Sequence, residues 1–251
     1  MRIGVLGVGS LAEYLIRGAE AVEFVLSPRS AERVARLGCE VAGSNQELVD
    51  ECDAVLVCLP AATGLEVVRG LRFRAGQTVC SAMAGVSLGA LRAAVGPAQG
   101  VVAMMPGYAN AYGMGPSLLY PADPFWAGFL GHVGPVHAFD TAEGFEVAAV
   151  MGAMSGATVF LMRHLAGWFA GRGLDPALAR QLVAEVLRGN AEVLLRSQED
   201  LDAITAGVTT PGGITEQLVA VLRDRGALGA WDEAMDAVLA RMGRRPDMDV
   251  A

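Results

Sequence analysis

The sequence predicts an α/β half built on a doubly wound, mainly parallel sheet, followed by an all-helical half. Three observations carry this. Short apolar runs alternate with amphipathic stretches over the first 140 residues, as in βα units. A glycine-rich turn joins the first run to the first helix. After Asp140 the strand signal stops and only helical patterning continues, to Gly243.

The strand-like runs are Arg2–Gly7, Val22–Leu26, Cys39–Ala42, Asp53–Leu59, Thr78–Ser81, Val101–Met105, Ser117–Tyr120 and Val136–Phe139. Helices are expected at Leu11–Gly18 and Ser30–Leu37, after Ser44 with Glu47 three residues on as a capping box, and at Leu65–Gly70 and Leu88–Val95. In the second half, Asp175-Pro176 reads as an N-cap with proline at the first helical position, and the segments Gly171–Gly173 and Thr209–Gly213 punctuate the helices. The expected organisation is residues 1–140 as a dinucleotide-binding domain, 141–243 as a helical dimerisation and substrate domain, and 244–251 as a tail.

Composition narrows the chemistry. Of 251 residues 53% are hydrophobic and 18% charged, which excludes a disordered chain. All 19 basic residues are arginine, so lysine Schiff bases and lysine general bases are excluded. A net charge of −8 argues against nucleic acid as a partner and requires any anionic ligand to be held locally. Cys39, Cys52, Cys58 and Cys80 form no CxxC pair and read as small buried hydrophobes rather than metal ligands or a disulfide framework, which suits a cytoplasmic protein. No metal site is expected. The strand-like run starting at Arg2 leaves no room for a signal peptide. The longest uncharged run, Val147–Met162, has 16 residues, short of the ~20 that cross a bilayer. No membrane span is expected; the run reads as a helix buried against a second copy, giving a homodimer or a higher homo-oligomer.

Gly7-Val8-Gly9-Ser10-Leu11-Ala12 follows the first strand and opens a helix. The first glycine permits the tight turn, the second admits a pyrophosphate, and small Ala12 lets helix and strand pack closely. Amides of Gly9, Ser10 and Leu11 at the helix N-terminus would supply the positive field. The fold is therefore of Rossmann type. At the tip of the second strand, Ser27-Pro28-Arg29-Ser30 carries hydroxyls and a guanidinium where an NAD site carries a carboxylate, which favours NADPH over NADH.

Four segments then carry a resemblance to the pyrroline-5-carboxylate reductase family: the Gly7–Ala12 turn, Ser81–Leu88, Met105-Pro106, and Val208-Thr209-Thr210-Pro211-Gly212-Gly213-Ile214-Thr215. The resemblance implies reduction of a small cyclic imine carboxylate by a nicotinamide cofactor, in proline biosynthesis or a related pathway. It implies cofactor contacts at Leu59, Pro60, Ala82, Ala84, Met105 and Pro106. It further implies substrate contacts at Gly212, Gly213 and Thr215, with the Thr215 hydroxyl near the imine nitrogen as the catalytic group. Independently of the family, Pro211–Gly213 free the backbone to curve, so amides and the Thr215 hydroxyl would converge on a carboxylate at a helix N-terminus; Thr215 as a plain helix cap is the structural alternative.

Two segments depart from the family pattern. Gly107-Tyr108-Ala109-Asn110 replaces Asn-Thr-Pro-Ala, and Gly152–Thr158 replaces Ser-Gly-Ser-Gly-Pro-Ala-Tyr. Tyr108, Ser155 and Gly156 are the substrate-side candidates these leave. A different imine, or an inactive cofactor-binding sensor, is the alternative reading. Hydroxyacid dehydrogenases of similar layout need a helical lysine that this chain lacks, and a deazaflavin–NADP oxidoreductase has no use for the Pro211–Thr215 turn.

Overall fold

A computed structural model describes residues 2–29 and 31–243. Ser30 and the expected tail lie outside the described residues. The described residues form two compact units, one built on those up to Ala153 together with 238–243, the other on Met154–Ala237.

The first unit runs β1 (Arg2–Leu6), α1 (Ser10–Gly18), β2 (Glu23–Leu26), α2 (Ala31–Leu37), β3 (Glu40–Val41), α3 (Asn45–Glu51), β4 (Ala54–Val57), α4 (Ala61–Arg69), β5 (Thr78–Ser81), α5 (Leu88–Val95), β6 (Gln99–Met104), a 3₁₀ turn (Tyr108–Tyr112), β7 (Ser117–Tyr120), α6 (Pro124–Gly131), β8 (Val136–Ala138) and α7 (Ala142–Ala149). All eight expected strands form, in the order β3-β2-β1-β4-β5-β6-β7-β8. They are parallel except that β7 runs antiparallel to β6 and carries β8 parallel to itself. The central strands are near-continuous apolar runs because helices cover both faces. Ile3, Val5, Leu56 and Ala103 face the core shared with α1 and α6, where Trp126 and Phe129 are fully buried. Leu6, Val55, Val57 and Val102 face the core shared with α3, α4 and α5.

Local chemistry sets the helix starts. Ser44 Oγ accepts from the Glu47 amide at 3.1 Å, and Ser87 Oγ accepts from Ala90 at 3.2 Å. Helix α6 was not foreseen, although Asp123 caps it through the Trp126 amide at 2.9 Å and Pro124 opens it. Its mostly apolar sequence shows no amphipathic period to detect.

The helical elements that follow are α8 (Met151–Ala170), α9 (Pro176–Arg196), α10 (Leu201–Val208), α11 (Ile214–Asp224) and α12 (Ala227–Gly243). Asp175 caps α9 through the Ala177 and Leu178 amides, with Pro176 at its first position. Within the single chain, α8, α10, α11 and α12 contain no buried residue. Val159, Phe160, Trp168 and Leu195 are all at least half exposed. The helical stretch Ala142–Ala170 is 29 residues long, and by length and composition it could cross a membrane. The uncharged 16-residue run understated it, because the helix extends through flanking charges.

Candidate active site

Strand order reverses beside β1, and ligands of open α/β sheets bind outside the carboxyl ends of the strands at such a point. A cavity of about 860 Å³ lies there. Its floor is the glycine turn, Gly7 to Leu11, and its walls include Ser27, Arg29, Cys58, Leu59, Pro60 and Ala82.

The turn is shaped from within. Gly7 has φ +90°, and a Cβ there would come within 2.8 Å of Leu59 Cδ2. Its amide donates to Ser27 Oγ at 3.0 Å, so Ser27, only 2% exposed, ties the tip of β2 to the turn. Gly9 is the N-cap of α1, with no side chain capping the helix. A Cβ on Gly9 would meet nothing within 4 Å. The first intrahelical bond runs from Glu13 N to Gly9 O, so the Ser10, Leu11 and Ala12 amides have no intrahelical acceptor and are donors for an anion. Ala12 is fully buried against the sheet. The arrangement fits a dinucleotide pyrophosphate.

Of the expected cofactor contacts, Gly7, Gly9, Ser10, Leu11, Ser27, Arg29, Leu59, Pro60 and Ala82 line this one cavity. Ala12 sits beneath it. Ala84 is exposed and Pro106 half-buried, and neither lines the cavity. Met105 points into the core shared with α1. Sequence reading missed Glu32, Arg33, Arg36 and Asn45, which also line the cavity. The helical pattern of α2 gave its arginines the look of a solvated face. Cys58 lines the cavity too, but burial pushes its thiol up to about 12, so it is no nucleophile at neutral pH.

One buried side chain ties the segment after β6 together. Asn110, fully buried, accepts from the Gly107 amide at 2.9 Å and donates to Gly115 O at 2.8 Å and Val133 O at 3.1 Å. This presents Tyr108, 61% exposed, edge-on to Tyr14 of α1 at 4.8 Å between ring centroids, with Tyr112 at 5.8 Å on its other side. Tyr108 thus belongs to a surface aromatic cluster beside α1.

In the second unit, Gly212 (φ +72°) and Gly213 turn the chain into α11 and line a surface cavity of about 700 Å³ with Thr209, Glu216 and Arg223. Gly213 is the N-cap and no side chain caps the helix, so Thr215 does not act as one. The amide convergence expected of this turn is partly spent: Gly212 N–H donates to the Glu216 carboxylate at 2.7 Å and Gly213 N–H to Thr210 O at 2.9 Å. The Ile214, Thr215 and Glu216 amides remain as first-turn donors. Ser155 is half-buried and Gly156 exposed on α8. Among the described residues no group of three or more His, Cys, Asp or Glu side chains could hold a metal ion.

Two family models match separate stretches of the chain. Residues 145–244 match the family model for pyrroline-5-carboxylate reductase dimerisation, and residues 2–85 match that for NADP oxidoreductase, coenzyme F420-dependent. Pyrroline-5-carboxylate reductase 3 of Xenopus laevis is 26% identical, over 97% of this chain and 96% of its own length. The structure of 1-pyrroline-5-carboxylate reductase from Streptococcus pyogenes superposes with a TM-score of 0.86 at 24% identity, covering 97% of this chain and 98% of that one. Plasmodium falciparum pyrroline carboxylate reductase, solved with NADP bound, gives 0.87 at 18%, covering 97% of each chain. With a glycine turn under a dinucleotide-sized cavity, a match to the dimerisation model over residues 145–244 and full-length relatives at 26% identity, the chain is similar to the pyrroline-5-carboxylate reductases along nearly its whole length.

Proposed function

We propose that this protein is an NADPH-dependent reductase of a small cyclic imine carboxylate, of the pyrroline-5-carboxylate kind, working as a cytoplasmic homodimer. The observation that carries the reading is the cavity over Gly7–Leu11, with unpaired helix amides at its floor and Arg29 at its rim. Bound NADPH supplies the hydride. The chain's own groups do the positioning: the Ser10 and Leu11 amides hold the pyrophosphate, Arg29 meets the 2′-phosphate, and Leu59, Pro60 and Ala82 line the way toward the reacting end. Holding donor and acceptor carbons in contact lowers the barrier by several kcal/mol without a strong acid or base.

On the substrate side, the turn at Gly212 and Gly213 is assigned to the carboxylate, through the free first-turn amides of α11 that it presents, and the Thr215 hydroxyl to a hydrogen bond at the imine nitrogen. Tyr108, Ser155 and Gly156 are assigned to the ring. As the family resemblance implies, the turn serves the partner's site. Mixing a Thr215→Val chain with a Gly9→Ala chain then restores activity that neither has alone; no recovery in the mixture contradicts a shared site.

The exposed apolar helices support a dimer, since Phe160 (71%), Leu195 (80%) and Ile214 (87%) need cover. Light scattering is expected to give a dimer at micromolar concentration; a stable monomer, or protein that partitions into lipid vesicles, overturns this. The activity test is loss of reduced-cofactor absorbance with pyrroline-5-carboxylate or piperideine-2-carboxylate. Protein that binds NADPH and consumes it with no cyclic imine is a sensor instead.

A further inference from the structure

We infer that Arg33 and Arg36 of α2 are specificity-determining residues, which with Arg29 distinguish a 2′-phosphorylated dinucleotide from an unphosphorylated one. The inference rests on the cofactor reading above and adds to it residues that the sequence pattern hides.

The two side chains are three residues apart on a helix, hence on one face, and both line the cavity that holds the glycine turn. Arg33 is anchored. Its Nε lies 3.5 Å from the carboxylate of Glu13 on α1, and Glu13 itself is held by Arg17 at 2.6 Å. A pair made through Nε leaves the two terminal nitrogens of Arg33 to meet phosphate oxygens as a fork. Arg36 has no ion pair among the described residues, and Arg29 stands at the end of β2 on the same rim.

Three arginines lining one cavity are out of keeping with a chain of net charge −8. Glu32 is the single acidic side chain of that lining. An adenosine ribose bearing two hydroxyls offers no charge for the arginines to neutralise, whereas a 2′-phosphate brings nearly two negative charges into the cavity that they line. The amides of the glycine turn cannot make this distinction, because the pyrophosphate they hold is common to both cofactors.

Calorimetric titration of the full-length protein tests it, with NADPH, NADH and the fragments 2′,5′-ADP and 5′-AMP, on wild type, Arg33→Ala, Arg36→Ala and the double variant. Each single substitution is expected to weaken NADPH and 2′,5′-ADP about tenfold, with NADH and 5′-AMP changed less than twofold; the double variant loses the preference. The salt dependence of NADPH binding becomes shallower in step. Unchanged NADH affinity certifies the fold of each variant. Equal losses for both nucleotides, or an unchanged NADPH affinity, overturn the inference while leaving the cofactor reading in place. A wild type that binds neither nucleotide overturns both.

Discussion

Replacing Asn110 with alanine should unfasten the segment that follows β6 (Gln99–Met104). The carboxamide is fully buried and satisfies three main-chain groups: the Gly107 amide, Gly115 O and Val133 O. A buried group left without its partner costs roughly 1–3 kcal/mol, and the two carbonyls retain a second lone pair, so the loss comes to about 3–5 kcal/mol. For a chain of this size that is a fall in Tm of roughly 6–20 °C. Asn110→Asp is the sharper variant. It keeps the acceptor for Gly107 but turns an oxygen toward two carbonyls, so it should be no more stable than the alanine variant at neutral pH. Thermal and urea unfolding at one fixed protomer concentration measures both. A loss below 1 kcal/mol for alanine, or a wild-type Tm for aspartate, would refute the reasoning.

Four other outcomes follow from the same geometry. Gly7→Ala places a Cβ against Leu59 at a φ of +90° and should cost about 2 kcal/mol or more, whereas Gly9→Ala faces open space and should keep the wild-type Tm while losing NADPH affinity, as differential scanning fluorimetry with and without nucleotide will show. Burial raises the Cys58 thiol from 9.0 to about 12 and Cys80 well above 9.0; the unfolded chain therefore ionises first, and stability should fall as pH rises from about 9 toward 12, visible as a declining urea midpoint. The same thiols should resist alkylation at pH 8 in the native protein and react in urea. Glu216→Gln keeps an acceptor for the Gly212 amide but removes a charge from the turn; a neighbouring unit charge in water is worth roughly 0.5–1 kcal/mol, so on the proposed substrate assignment KM for an anionic imine should drop about two- to fivefold, with kcat little changed.

The parallel sheet was legible because its strands are buried on both faces and therefore spell unbroken apolar runs such as Ala54–Val57. The glycine turn was legible because Gly7, at a φ of +90°, answers a local steric demand that few other residues meet, and Gly9 leaves the helix N-terminus bare for a phosphate. What escaped was tertiary. Asn110 reads as a loop residue, and nothing local marks it as the tie among Gly107, Gly115 and Val133. Pro124–Gly131 is apolar almost throughout, so its helix has no period to betray it. Arg33 and Arg36 look like the solvated side of a short helix until the sheet brings them to the cavity of the glycine turn. At the Gly212-Gly213 turn local chemistry leads to an expectation of converging amides, but nothing local shows that Glu216, four residues on, occupies one of them.

Calorimetric titration of NADPH into the wild-type protein and Gly9→Ala tests the central claim most directly. One site per protomer, lost or weakened at least tenfold in the variant at unchanged Tm, is the predicted result. A wild type that takes up no nucleotide, or a variant that binds as tightly, would contradict it.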